Sequence, residues 1–171
     1  MLDEAPPSGT KPRILVVDDR PEDARQARSA LADQDRDLRV AHSAREALSL
    51  LHDQHFDLVL LSLELGDLPG ARALDVFRER APGVPVIALS ARPSIASAVD
   101  AVRRGAVEFV PKPLHRRELA EAASRALDHA HTSIELERAR QRVKDRYGFS
   151  HMLTRSPLML RVFDQVRAVA T

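Results

Sequence analysis

Five polar side chains stand where an apolar run of the sequence stops. Asp18 and Asp19 follow Ile14-Leu15-Val16-Val17, Ser62 follows Leu58-Val59-Leu60-Leu61, Ser90 follows Val84 to Leu89, and Lys112 comes just after Val107 to Val110. Carboxylates are hard oxygen ligands, a lysine is a point charge for an oxyanion, and a hydroxyl both donates and accepts. As a nucleophile Ser62 is a poor candidate: a serine hydroxyl ionises far above neutral pH, and no His or carboxylate is placed as an obvious base. A Ser62–Lys112 hydrolase would also need oxyanion glycines and a substrate cleft, and neither accompanies the pair. His52 with His55, and His129 with His131, lack a third ligand and read as surface residues. With no cysteine in the sequence, a thiol nucleophile, a disulfide framework and a thiolate metal site are all excluded.

The segments around these residues alternate between strand and helix. Ile14 to Val17, Leu58 to Leu61 and Val84 to Leu89 are continuous apolar runs, the pattern of parallel strands covered on both faces, with weaker strands at Leu38–Ala41 and Val107–Val110. Pro21 with Glu22 and Asp23 starts a helix that runs to about Asp33, its inner stripe being Ala24, Ala27, Ala30 and Leu31. Ser43 and Glu46 have capping-box spacing for a second helix through about Gln54. A third is expected over about Ala71 to Arg80, after the loop Gly66 to Gly70, and a fourth from Ser94 to Arg104, closed by Gly105. This order predicts an α/β fold, a doubly wound five-stranded parallel sheet. In such sheets ligands bind at the carboxyl ends of the strands, which is where the five polar residues gather.

The flanks differ in character. Residues 1–11 are polar and rich in Pro and Gly and read as a disordered leader. From Arg116 to about Arg146 there is neither Gly nor Pro, which predicts one helix of roughly 45 Å at 1.5 Å per residue. Such a length exceeds what one small domain covers, so the distal half is expected to pair with a second copy, with Leu127, Ala130 and Ile134 on the seam. A solvated helix held by Glu/Arg pairs is the alternative. The divisions are therefore a leader (1–11), an α/β domain (12–128), a linker helix (129–147) and a further fragment (148–171). The net charge of +1, with both signs mixed, gives no basic field for nucleic acid, and no apolar run is long enough to cross a bilayer, so a cytoplasmic protein is expected.

Val17-Asp18-Asp19, Ile87-Ala88-Leu89-Ser90-Ala91 and Phe109-Val110-Pro111-Lys112-Pro113, in this order and spacing, resemble the receiver domain of bacterial response regulators, which has the flavodoxin-like fold. The resemblance covers about residues 12 to 128. It implies that Asp18 and Asp19 are a Mg²⁺-holding pair, Ser90 the switch hydroxyl, Lys112 the cation on the phosphoryl oxygens and Phe109 the switch aromatic, with a cis Lys112–Pro113 bond. It also implies that the phospho-accepting aspartate belongs at the end of the central strand, where this chain has Ser62. A serine there cannot form the labile acyl phosphate of that family, and one carboxylate fewer weakens the metal site, so no cofactor beyond weak Mg²⁺ is expected. The next residues also depart from the family: Leu65-Gly66-Asp67-Leu68-Pro69-Gly70 stands where Met-Pro-x-x-Asp-Gly is usual. Lys112 is then expected to neutralise Asp18 and Asp19 as a structural group. Glu64, two residues past Ser62, is read as a solvated loop residue, with a substitute carboxylate as the alternative.

Tyr147-Gly148-Phe149, followed by Thr154-Arg155-Ser156-Pro157-Leu158-Met159, resembles the entry to the AAA+ ATPase domain of nitrogen-regulator-type, sigma-54-dependent activators, with Arg155 where a glycine is commoner. No P-loop is present in the 171 residues, so this chain is not expected to hydrolyse ATP or to be an enzyme. With Ser62 at the acceptor position and the long helix as a seam, a homodimeric, phosphorylation-independent control module is expected; the resemblance implies a downstream AAA+ domain and the sigma-54 RNA polymerase as its partners. No direct contact of this segment with nucleic acid or membrane is expected. A phospho-switch with a non-standard acceptor (Ser62, Glu64 or another carboxylate) and a pseudo-receiver that binds a protein or small anion stay open. Asp100, Arg103, Arg104, Glu108, Arg117 and Glu121 offer both charge signs for a second dimer contact.

Overall fold

The structure is a computed structural model and describes residues 11–32 and 35–128. The strands are β1 (Arg13–Val17), β2 (Asp37–Ala41), β3 (Leu58–Ser62), β4 (Val86–Ser90) and β5 (Glu108–Pro111). The helices are α1 (Pro21–Leu31), α2 (Ala44–Asp53), α3 (Arg72–Arg80) and α4 (Ile95–Arg103), followed by α5, helical over residues 116–128. All neighbouring strands pair in parallel, in the order β2-β1-β3-β4-β5. The doubly wound α/β architecture expected from the sequence is the one observed.

Side chains alternate across each strand and so divide the core in two. Leu15, Val17, Val59, Leu61, Val86 and Ala88 face one side and pack with α2 and α3 residues such as Ala47, Leu74 and Phe77. Ile14, Val16, Leu58, Leu60, Ile87 and Leu89 face the other and pack against Ala27 and Leu31 of α1 and Leu119, Ala123 and Leu127 of α5. Every residue of β3 and β4 is buried, which is why both read as unbroken apolar runs. β4 begins at Val86, two residues later than the apolar run, because Pro85 has no N–H to give the ladder; its carbonyl accepts from Val59.

Two expectations are corrected here. Ser43 caps α2 by accepting from Glu46 N–H, but the Glu46 carboxylate reaches past Ser43 to His42 N–H at 2.7 Å, so no reciprocal box forms. The capping box is found instead at α4, between Ser94 and Ser97. Leu127 is not a free seam residue: it is 6% exposed and packs in the domain's own core. Ala130 and Ile134, the linker helix and the fragment 148–171 lie outside the described residues.

Candidate functional site

The parallel register brings the ends of four strands to one edge. Asp18 directly follows β1 and is fixed there by Asp18 N–H donating to Ala41 O, and Lys112 directly follows β5 and is fixed by Lys112 N–H donating to Ser90 O. Ser62 and Ser90 are the last residues of β3 and β4. The Lys112–Pro113 peptide is cis, as the resemblance implied.

Lys112 is the hub. Its ammonium lies 2.6 Å from Asp18 Oδ2 and 3.0 Å from Asp23 Oδ2, and donates to Ser62 Oγ at 3.1 Å. The side chains of Lys112 and Asp18 are 5% and 1% exposed, so the pair is a true interior one and neither charge has bulk water to fall back on. Burial pushes the Asp18 carboxyl above its ordinary value; the Lys112 ammonium and the Arg20 N–H, which donates to Oδ1 at 3.1 Å, pull it down without cancelling that rise.

The second acid on the lysine is therefore Asp23, not Asp19 as expected. Asp23 sits in the first turn of α1, two residues after the Pro21 that opens the helix, and its carboxylate reaches Lys112 at the strand ends. Asp19 is exposed and accepts from Gly66 N–H at 3.0 Å. The proline that the resembling family has at this place carries no N–H and could not make this bond. The same loop supplies Asp67, whose two oxygens accept from Ala44 and Arg45 N–H at the start of α2, at 3.0 and 3.1 Å. Desolvation by its neighbours pushes the Asp67 carboxyl up, but the backbone donors and the nearby Arg45 charge outweigh it and hold the carboxyl below the ordinary range.

Ser62 is fully buried, and its oxygen accepts from both Lys112 and, at 3.4 Å, Glu64 N–H. Glu64 is not a solvated loop residue. It is half-buried, its Oε1 accepting from Ser90 Oγ–H at 2.7 Å and its Oε2 from Ala91 N–H at 3.1 Å. Phe109 is half-buried against the α2/α3 side of the core. The charges on the α4–β5–α5 face pair within the chain: Arg104 with Asp100 and Asp75, Arg117 with Glu121, Arg125 with Glu108. The sequence reading passed over an apolar row beside them, in which Ile95, Val99, Val102 and Val107 are all at least half exposed.

These partners leave no donor set for a hard dication. Asp18 faces an ammonium, Asp19 a backbone N–H, and the central strand ends in the hydroxyl of Ser62. Among the described residues no group of three or more acidic, His or Cys side chains could hold a metal. The residues present do not fit Mg²⁺ in the near-octahedral oxygen shell it demands.

A flavodoxin-like parallel sheet with an acid–lysine–hydroxyl cluster at its carboxyl edge is the arrangement the resemblance to receiver domains implied. Residues 14–124 match the response regulator receiver domain, and the chain belongs to that family. Among curated relatives it is 32% identical over 158 residues to the regulatory protein AtoC of Escherichia coli K12, covering 92% of this chain and 34% of that protein. It is 35% identical over 158 residues to the alginate biosynthesis transcriptional regulatory protein AlgB of Pseudomonas aeruginosa, covering 92% of this chain and 35% of that one. The chain thus spans about a third of the length of the curated relatives it matches. Among solved structures, the receiver domain of NtrX from Brucella abortus is 37% identical with a TM-score of 0.64, over 67% of this chain and 98% of that one. A longer NtrX structure from the same organism is 31% identical with a TM-score of 0.72, over 92% of this chain and 34% of that one. Among the described residues no helix is long and apolar enough to cross a membrane.

Proposed function

We propose that this chain is the receiver part of a sigma-54-dependent transcription activator, and that it controls its neighbours without aspartyl phosphorylation. The observation that carries the reading is Ser62. At the end of β3 the chain presents a buried hydroxyl that accepts from Lys112, and Lys112 is itself bound to Asp18 and Asp23. Every group of the pocket already has an internal partner, so the pocket holds one arrangement with no phosphoryl group to select between two. In this reading Asp18, Lys112 and Ser62 are structural, Asp19 is a vestige of a metal pair, and Ser90 and Phe109 no longer switch.

The rest of the activator follows the sequence of residues 129–171 and the lengths of the relatives: a linker helix, then an AAA+ domain that engages the sigma-54 polymerase. The module works as a constitutive homodimer. Ala130 and Ile134 of the linker and the exposed row Ile95, Val99 and Val102 support two possible seams, and Leu127 supports neither. The reading is tested on the full-length protein by its ATPase rate and its oligomeric state, with and without a small phosphodonor. Both should be unchanged by the donor; a donor-dependent rise in either overturns it. Ile134→Glu and Ile95→Glu with Val99→Glu, compared by light scattering, assign the seam to whichever variant becomes monomeric.

A further inference from the structure

The contact of Glu64 with Ser90 and Ala91 has the form of a bound anion. Its two carboxylate oxygens take two separate donors, a hydroxyl and a backbone N–H, at the carboxyl edge of β4. A carboxylate held by a directed pair of donors makes stronger hydrogen bonds than a neutral acceptor. Its own N–H is anchored on Ser62 Oγ, so one residue ties the end of β3 to the end of β4. Ser90 Oγ gives its only proton to Glu64 and accepts from Arg92 N–H, so it has none left for another anion. Access does not protect the site. An open groove of about 500 Å³, walled by Leu63, Pro69, Gly70, Arg92 and Ser97, reaches Glu64 and Ser90 from solvent.

We propose that Glu64 is the resident anion of a latent oxyanion site formed by Ser90 Oγ–H and Ala91 N–H: it fills the site in cis, excludes free phosphate from it, and fixes the β4–α4 loop in a single setting. Being part of the chain, the carboxylate meets these donors intramolecularly, two residues from the end of β3. The loop it fixes is short: Ala91 and Arg92 lead within two residues to Ser94, the N-cap of α4, whose outer face carries Ile95, Val99 and Val102. Glu64 thereby sets how α4 is presented.

The inference rests on the phosphorylation-independent reading of the pocket, and the test separates the two. Backbone amide spectra of the 171-residue chain are recorded for wild type, Glu64→Ala and Glu64→Gln while inorganic phosphate is exchanged for chloride at constant ionic strength. The wild-type Ala91 and Arg92 signals should not move. In Glu64→Ala they should start displaced and shift saturably with phosphate, and amide exchange across residues 91–98 should be roughly tenfold faster without phosphate, the loss of about one hydrogen bond. Phosphate should reverse that increase. Glu64→Gln keeps the shape and loses the charge, so it should take phosphate more weakly than Glu64→Ala and guards against a folding artefact. Phosphate shifts in wild type equal to those in Glu64→Ala overturn the proposal, as does a Glu64→Ala spectrum that phosphate leaves unmoved. A covalent phosphoryl adduct on wild type after treatment with a phosphodonor overturns instead the reading on which it rests.

Discussion

Replacing Lys112 by Met removes the ammonium and keeps the length of the side chain. Asp18 then carries an uncompensated charge in a place where its side chain is 1% exposed, with Arg20 N–H as its remaining donor. Asp23 fares better, being 12% exposed with the Arg20 guanidinium at 3.7 Å. Breaking one side of a buried pair costs about 3–5 kcal/mol, a large part of the roughly 5–15 kcal/mol that holds a domain together. The sign of the pH dependence follows from the burial of Asp18. A carboxyl whose folded-state pKa lies above its unfolded one destabilises only when ionised, so the penalty is absent in acid and grows as pH rises through the folded value. Loss of Lys112 lifts that value further, so the deficit of Lys112→Met should shrink as pH is lowered from neutrality into acid. Urea denaturation followed by circular dichroism measures each variant. Adding Asp18→Asn to Lys112→Met removes the stranded charge and should restore about 2 kcal/mol or more. A loss below about 1 kcal/mol for Lys112→Met, or strictly additive losses in the pair, would refute the buried hub.

Asp67→Ala should cost about 1 kcal/mol near neutral pH by uncapping α2. Because the Asp67 pKa is depressed in the folded state, that contribution is complete above the ordinary carboxylate range and fades as pH falls below it, so the two proteins should converge in acid denaturation. Ser62→Asp places a third acid on a single lysine and should lower stability at neutral pH by about 1–3 kcal/mol; with Ser90 still held by Glu64, a phosphodonor should not change its oligomeric state. Calorimetry with MgCl₂ should show no binding tighter than on the order of a millimolar, and a much lower dissociation constant would mean that the acids release Lys112 and Gly66 for the metal.

The sheet was legible because β1, β3 and β4 are buried on both faces and leave unbroken apolar runs, and the site because its residues stand where those runs stop. Partner choice was not legible. Asp23 reads as an ordinary acid at a helix start, and only the path of α1 back over the strand ends shows it to be a ligand of Lys112. Glu64 and Asp67 read as loop residues, since a sequence does not say which backbone N–H groups a loop will cross. Ser43 and Glu46 have the spacing of a capping box, yet Glu46 finds His42 N–H first. Leu127 shows the limit of periodicity: a stripe along a long helix is continuous whether it faces its own core or a second chain, and here the core extends as far as Leu127.

The central claim is that Ser62 and its neighbours accept no phosphoryl group. Incubating the 171-residue chain with acetyl phosphate and Mg²⁺ and measuring its intact mass tests this directly, with a receiver that has an aspartate acceptor as the positive control. The account predicts an unchanged mass while the control gains one phosphoryl group; a stoichiometric gain of one phosphoryl group, on Ser62 or any other pocket residue, would contradict it.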